Sequence, residues 1–226
     1  QNINLDFLIH FLAGLKTVLP IYAVVFTVGG IWEVIFALTR GHEINEGFLV
    51  TGFLIPLVLP PAIPLWMVGV ATTFGVVIGK EIFGGTGYNI FNPALVARAF
   101  LFFAYPGSMS GDKVWTVDAM SGATPLLAVS SQEGMSATAL LSGDFTWAQM
   151  FYGFIPGSIG ETSTIAILIG AAILLITGIG SWRVMLATTV GMTLTAVGLN
   201  NFGTAIGSTN PMLYLPPTYH FVMGGF

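Results

Sequence analysis

Long apolar stretches separated by short polar turns dominate the chain. The clearest one covers residues 17–38, lies between basic residues, and is long enough to cross the hydrocarbon core as a helix. Residues 1–16 alternate polar and apolar side chains, which predicts an interfacial segment. Two further stretches, 162–176 and 184–199, predict helices later in the chain. The pattern predicts an all-α protein with several membrane spans.

Other apolar stretches are too short or too interrupted to cross a bilayer. Residues 48–60 end in a proline-rich turn that cannot continue a helix, and helical patterns resume over 65–78 and 94–104. Residues 145–155 form another short piece before Pro156. Such breaks are tolerated at membrane depth only where protein or a cavity covers the freed backbone groups. The bundle is therefore expected to contain broken or re-entrant half-helices.

A Leu-Pro-Pro sequence occurs twice, at 59–61 and at 215–217. Paired broken helices in corresponding halves are typical of inverted-repeat transporters. We therefore expect an inverted repeat, a hypothesis that rests on two short matches.

Three polar residues, Asn92, Thr124 and Asn210, each stand directly before a proline. A residue before proline is pushed out of helical geometry, and proline suits the first position of a helix, so each pair predicts a capped helix start. Thr124 would present its hydroxyl at the positive end of a short helix over 125–129, a favourable place for a phosphate. On this geometry alone, capping without further function is the ordinary interpretation.

The composition favours an integral membrane protein. Hydrophobic residues make up 54% of the chain and charged residues 7%, against roughly 25% charged in soluble domains. No basic cluster indicates a nucleic-acid partner. The absence of cysteine excludes disulfides, cysteine-ligated iron–sulfur clusters and thiol catalysis, and the three separated histidines have no metal-ligand spacing. Redox chemistry would therefore need a bound cofactor, and no catalytic triad indicates hydrolysis.

Glu33 lies within an apolar stretch, shortly after Gly29 and Gly30. An ionisable residue at membrane depth marks an ion path, a proton relay or a ligand site. Equally, Glu33 lies near enough to a helix end to reach water. The two glycines fit helix packing as well as a functional site.

The glycine-rich segment 84–87 lacks the spacing of a dinucleotide fingerprint. It forms either a tight turn or a close backbone approach to a planar ligand. In the second case, the amides of Asn89 and Asn92 match the mixed donors and acceptors of a flavin ring. Asn92 serves equally well as a helix cap.

Two more charged residues are candidates for binding. The guanidinium of Arg98 suits a phosphate or a flavin carbonyl, or a pair with Glu81 or Asp118. Glu161 is expected to begin a helix, where a carboxylate favours the dipole, with a cofactor or cation contact as the alternative.

Several blocks of sequence resemble the NqrB/RnfD family, which contains the NqrB subunit of the sodium-translocating NADH:quinone oxidoreductase and its relative in the Rnf complex. NqrB is the better match of the two. The similarity extends over nearly the whole chain. It is strongest in the following blocks: 79–87, 91–94, 98–101, 121–124 and 160–164.

The resemblance implies a flavoprotein. It implies FMN attached covalently to Thr124 through a phosphodiester, with Ser121 and Gly122 in the attachment motif and 105–124 as the attachment loop. It also implies a non-covalent riboflavin and places the region of Gly29, Gly30 and Glu33 near quinone and sodium.

The same resemblance implies an activity and a location. The chain would belong to a Na+-transporting NADH:ubiquinone reductase of the bacterial inner membrane, as a multi-pass subunit that assembles with flavin and iron–sulfur subunits. Electrons would pass through the flavins to ubiquinone while Na+ is exported.

The family's fold is similar to urea-transporter-like inverted repeats, so a channel or passive transporter without a covalent cofactor is the alternative function. The chain begins at Gln1 rather than Met and stops at Phe226 within an apolar stretch. We therefore expect residues 1–226 to be a single transmembrane domain, truncated at both ends.

Overall fold

The computed structural model describes residues 3–109, 124–130 and 145–223, and the regular structure of these residues is helical throughout, which confirms the predicted all-α class. The nine α-helices in these ranges are α1 Ile3–Arg40, α2 Gly47–Leu57, α3 Leu65–Val77, α4 Pro93–Ala104, α5 Pro106–Met109, α6 Pro125–Ser130, α7 Trp147–Tyr152, α8 Thr164–Ile176 and α9 Trp182–Ile206. Short 3-10 helices cover Glu81–Phe83 and Pro211–Tyr214.

The chain divides into two compact units. Residues 1–122 with 158–160 form the first, and residues 123–157 with 161–226 form the second. In the first, α1, α2, α3 and α4 pack around one apolar core. That core contains these buried side chains: Ile21, Val25, Ile55, Leu59, Ile63, Val68, Ala71, Ala94, Ala97 and Leu101.

The second unit has its own smaller core. It joins α6 and α7 to the segment that follows α9. Its buried members are Val129, Met150, Ile155, Leu215, Val222 and Met223.

Three helical segments are long and apolar enough to cross a membrane: Phe11–Arg40, Leu65–Phe83 and Trp182–Ile206. The first contains the predicted span 17–38, but α1 begins at Ile3 and continues through Lys16 without interruption. The last extends beyond the predicted 184–199 at both ends. These segments agree with a multi-pass membrane protein.

The predicted break after 48–60 is present. Helix α2 has 11 residues, about 16 Å of helix against a hydrocarbon core of about 30 Å, and ends at Leu57. Protein atoms satisfy the freed backbone, because the N–H groups of Ile159 and Gly160 donate to the carbonyls of Leu59 and Leu57 at 3.1 and 2.8 Å. The inverted repeat and the urea-transporter-like fold stay predictions.

Candidate functional site

Thr124 caps the short helix α6, as the Thr-Pro pair predicts. Its Oγ1 accepts a hydrogen bond from the N–H of Leu127 at 3.3 Å, and its carbonyl accepts from the N–H of Ala128 at 2.9 Å. The residue is half-buried. Because Oγ1 acts as an acceptor in this bond, the cap does not use the hydroxyl hydrogen.

The rest of the predicted attachment motif, Ser121 and Gly122, lies outside the described residues, and so does Asp118. Within the predicted loop 105–124, the structure describes Tyr105, helix α5 and Thr124. The attachment geometry is therefore defined at Thr124 itself.

The two asparagines bind nearby backbone. Oδ1 of Asn92 accepts from the N–H groups of Ala94 at 2.9 Å and Leu95 at 3.4 Å, which makes Asn92 the cap of α4. Nδ2 of Asn89 donates to the carbonyl of Phe91 at 2.8 Å. Each amide thus has one atom committed to local structure.

Phe91, between the two asparagines in sequence, faces an apolar groove of about 620 Å³. Phe74 and Phe100 line the same groove and stack with ring centroids 4.5 Å apart. The groove offers aromatic and aliphatic contacts rather than polar ones. It would suit an apolar chain better than the polar edge of a flavin.

Arg98 extends from α4 to the break that follows α2. Its Nη1 donates to the carbonyl of Val58 at 3.2 Å and to Oγ of Ser158 at 3.4 Å. Glu81, one of the partners considered from the sequence, is instead bound by other cations. Arg98 therefore helps to satisfy the carbonyl end of the broken helix.

Glu161 does not begin a helix. Helix α8 starts at Thr164, and its cap is Ser163, whose Oγ accepts from the N–H of Ala166 at 3.4 Å. Glu161 lies in the turn two residues before that cap. A serine hydroxyl placed before the apolar run takes the capping role that was predicted for the carboxylate.

The residues predicted for the quinone and sodium region lie together on α1. Glu33 is buried, with 6% of its surface exposed. A Cβ added to Gly29 would lie 2.5 Å from Cε2 of Phe48, so the glycine admits this ring from α2. Gly30 is adjacent but less crowded, since Phe48 is 3.9 Å from its would-be Cβ.

The structure adds two cations and a second carboxylate. Nζ of Lys80 lies 2.5 Å from Oε1 of Glu33 and 3.8 Å from Oε1 of Glu81. Nη1 of Arg40 lies 3.0 Å from Oε2 of Glu81, and Nη2 of Arg40 donates to the backbone carbonyl of Glu81. We call these four residues, Glu33, Arg40, Lys80 and Glu81, the buried ion cluster.

The buried ion cluster was not predicted from the sequence, in which Lys80 and Glu81 mark the polar end of a helix. One signal was present, because a glutamate within an apolar stretch needs a cation, and Lys80 lies beside the apolar stretch 65–78. The clustered charges balance, which favours a structural or electrostatic role for the cations.

Comparison with known proteins agrees with the motifs. The sequence profile of the NQR2, RnfD, RnfE family matches residues 7–226. A protein of Chromohalobacter salexigens is 58% identical over 219 residues, which cover 96% of this chain and 51% of that protein. A protein of Azotobacter vinelandii is 55% identical over 218 residues, with 96% and 52% covered.

A third relative, from Yersinia pestis, is 54% identical over 217 residues, which cover 95% of this chain and 52% of that protein. All three are named as the NqrB subunit of Na(+)-translocating NADH-quinone reductase. The chain spans about half the length of the curated relatives it matches. The profile match over 7–226 shows that the chain belongs to the NQR2, RnfD, RnfE family.

Proposed function

We propose that this chain is part of the membrane subunit of a respiratory sodium pump. The subunit carries FMN covalently on Thr124 and passes electrons from NADH-derived reductant through flavins to ubiquinone, coupled to Na+ export across the bacterial inner membrane. One observation carries the proposal: relatives 54% to 58% identical over nearly the whole chain are named as the NqrB subunit of such a reductase. Flavin-bearing and iron–sulfur subunits are the expected partners.

The geometry at Thr124 fits a phosphate ester. Esterification replaces the hydroxyl hydrogen and leaves Oγ1 a lone pair for the N–H of Leu127, so the cap and the linkage are compatible. The start of α6 adds the positive end of a helix dipole beside the phosphate. Ser121 and Gly122 complete the attachment motif. The bound flavin supplies the electron transfer, and the chain holds and orients it.

We assign the second flavin, a non-covalent riboflavin, to the segment of Asn89 and Asn92. The local hydrogen bonds use Nδ2 of Asn89 and Oδ1 of Asn92. Oδ1 of Asn89 and Nδ2 of Asn92 are therefore the atoms with which these amides would bind a flavin edge. Arg98 and Glu161 are proposed as further contacts to the cofactors.

The quinone and sodium region is proposed around Gly29, Gly30 and Glu33. The buried carboxylate of Glu33 is a ligand type that suits a hard cation such as Na+. Its position in the membrane-spanning part of α1 is where an ionisable group marks an ion path.

The covalent flavin is the decisive test. The protein purified from its native host is denatured and run on a gel, and flavin fluorescence should migrate with the polypeptide. Thr124→Val should abolish this fluorescence, because valine keeps the branched shape but removes the oxygen.

Thr146→Val is the matched control. Thr146 caps α7 in the same way, with Oγ1 accepting from the N–H of Gln149 at 3.3 Å, so its loss removes a cap but no flavin. An unaltered protein without fluorescence would overturn the proposal and favour a channel or passive transporter without a covalent cofactor.

A further inference from the structure

Lys80 is one of the most deeply buried charged residues that the structure describes, with 2% of its side chain exposed. A buried ammonium needs a carboxylate partner, and two are close to it: Glu33 at 2.5 Å and Glu81 at 3.8 Å. They belong to different elements, since Glu33 lies in α1 and Glu81 begins the 3-10 helix after α3. Lys80 thus lies between two carboxylates.

The second carboxylate already has a cation. Arg40 binds Glu81 at a side-chain oxygen, at 3.0 Å, and at the backbone carbonyl. Arg40 is also the more exposed cation, with 31% of its side chain accessible. The charges therefore pair as Arg40 with Glu81 and Lys80 with Glu33.

The remaining surroundings of this second pair are apolar or neutral. The ring of Phe48, from α2, lies 5.9 Å from Nζ of Lys80, in cation–π range. Gly29 gives that ring its space. Of the described titratable groups, His42 is the other one that acts on Glu81, from the turn after α1. Lys80 is therefore the cation in direct contact with Glu33.

We propose that Lys80 is a positioning residue that keeps the Glu33 carboxylate ionised and holds it in one place beside Phe48. This inference rests on the proposed function, in which Glu33 belongs to the sodium and quinone region. Without the ammonium, the buried carboxylate would take up a proton rather than stay charged and unpaired. Lys80 thereby decides whether Glu33 offers an anion to a passing cation.

Infrared spectroscopy of the purified complete complex tests the ionisation directly. A protonated carboxylic acid has a C=O stretching band separate from that of a carboxylate. Lys80→Met should show an additional protonated-acid band, and the double variant Lys80→Met with Glu33→Gln should lose it. Lys16→Met, a matched change at an exposed lysine of α1, should leave the spectrum unchanged.

Activity gives a second reading. Lys80→Met should lose the sodium stimulation of ubiquinone reduction, and Lys80→Arg should retain most of it because the charge remains. Absence of the new band in Lys80→Met, or its persistence in the double variant, would overturn the proposal.

Assembly provides the remaining outcomes. If Lys80→Met fails to assemble but the double variant assembles, the uncompensated charge of Glu33 is the cause, which supports the proposal. If both fail alike, Lys80 has a packing role and the proposal is overturned. An unchanged sodium response in Glu33→Gln would remove Glu33 from the ion path, whereas the infrared band would still decide the role of Lys80.

Discussion

Nζ of Lys80 lies 2.5 Å from Oε1 of Glu33, and both side chains are almost fully buried. This contact joins α1 to the end of α3. Removing one partner of a buried ion pair leaves an uncompensated charge and typically costs about 3–5 kcal/mol, more than removing both. Every substitution at Glu33 must therefore be compared with a variant that also neutralises Lys80.

The proposed role of Glu33 predicts a change in sodium dependence. In Glu33→Gln, with or without Lys80→Met, the rate of ubiquinone reduction should lose its stimulation by Na+, because an amide offers no charge to the cation. Glu43→Gln, in the exposed turn after α1, is the control and should respond normally. The measurement is the initial rate against sodium concentration at constant ionic strength. A normal response in Glu33→Gln would exclude the residue from the ion path.

Gly29→Ala should destabilise the protein by about 1–3 kcal/mol, the usual cost of overpacking. The new methyl group would lie 2.5 Å from the ring of Phe48. Gly14→Ala, in the same helix with no atom within 4 Å of its would-be Cβ, is the control and should be neutral or stabilising. Thermal unfolding in detergent measures the difference.

Phe48→Leu in the Gly29→Ala background should restore part of the lost stability, because the smaller side chain frees the space. A Gly29→Ala protein as stable as Gly14→Ala would show that α1 and α2 do not approach as closely as the structure describes.

Asn92 separates capping from flavin binding. Asn92→Ala should reduce the free energy of unfolding by about 1 kcal/mol through loss of the α4 cap, whereas Asn92→Ser keeps an acceptor for the N–H groups of Ala94 and Leu95. Asn92→Ser should still reduce the riboflavin extracted from the purified complex, because serine lacks the amide. A full riboflavin content in a stable Asn92→Ser would leave this asparagine with the cap alone.

His220 should make the protein less stable in acid. Burial lowers the pKa of His220 below its usual 6.5, and a smaller, opposing effect comes from a hydrogen bond to the backbone of Leu215. The unfolded chain therefore binds this proton at a higher pH than the folded chain. The free energy of unfolding falls as the pH drops below about 6.5, until the folded-state pKa is reached.

His220→Gln should remove this part of the pH dependence, and the exposed His42→Gln should retain it. The unfolding midpoint measured between about pH 5 and pH 8 compares them. An equal slope in wild type and His220→Gln would contradict the assignment.

Local chemistry made several elements predictable. Asn92, Thr124 and Asn210 each cap a helix that begins with proline, because the geometry involves neighbouring residues alone. The break after α2 was predictable for the same reason, since proline lacks the N–H that a helix needs. The start of α8 was wrong by two residues, because serine capped the helix in place of the turn around Glu161.

The sequence by itself determined the membrane class, the broken helices, the caps and the family, because each follows from composition or from neighbouring residues. The tertiary structure decided which charges meet. Glu33 and Lys80 are 47 residues apart, and so are not neighbours along any helix. Arg98 likewise found Val58 and Ser158 rather than Glu81, 40 and 60 residues away. Partners at such separations are chosen by the packing of whole helices, which places one buried charge within reach of another.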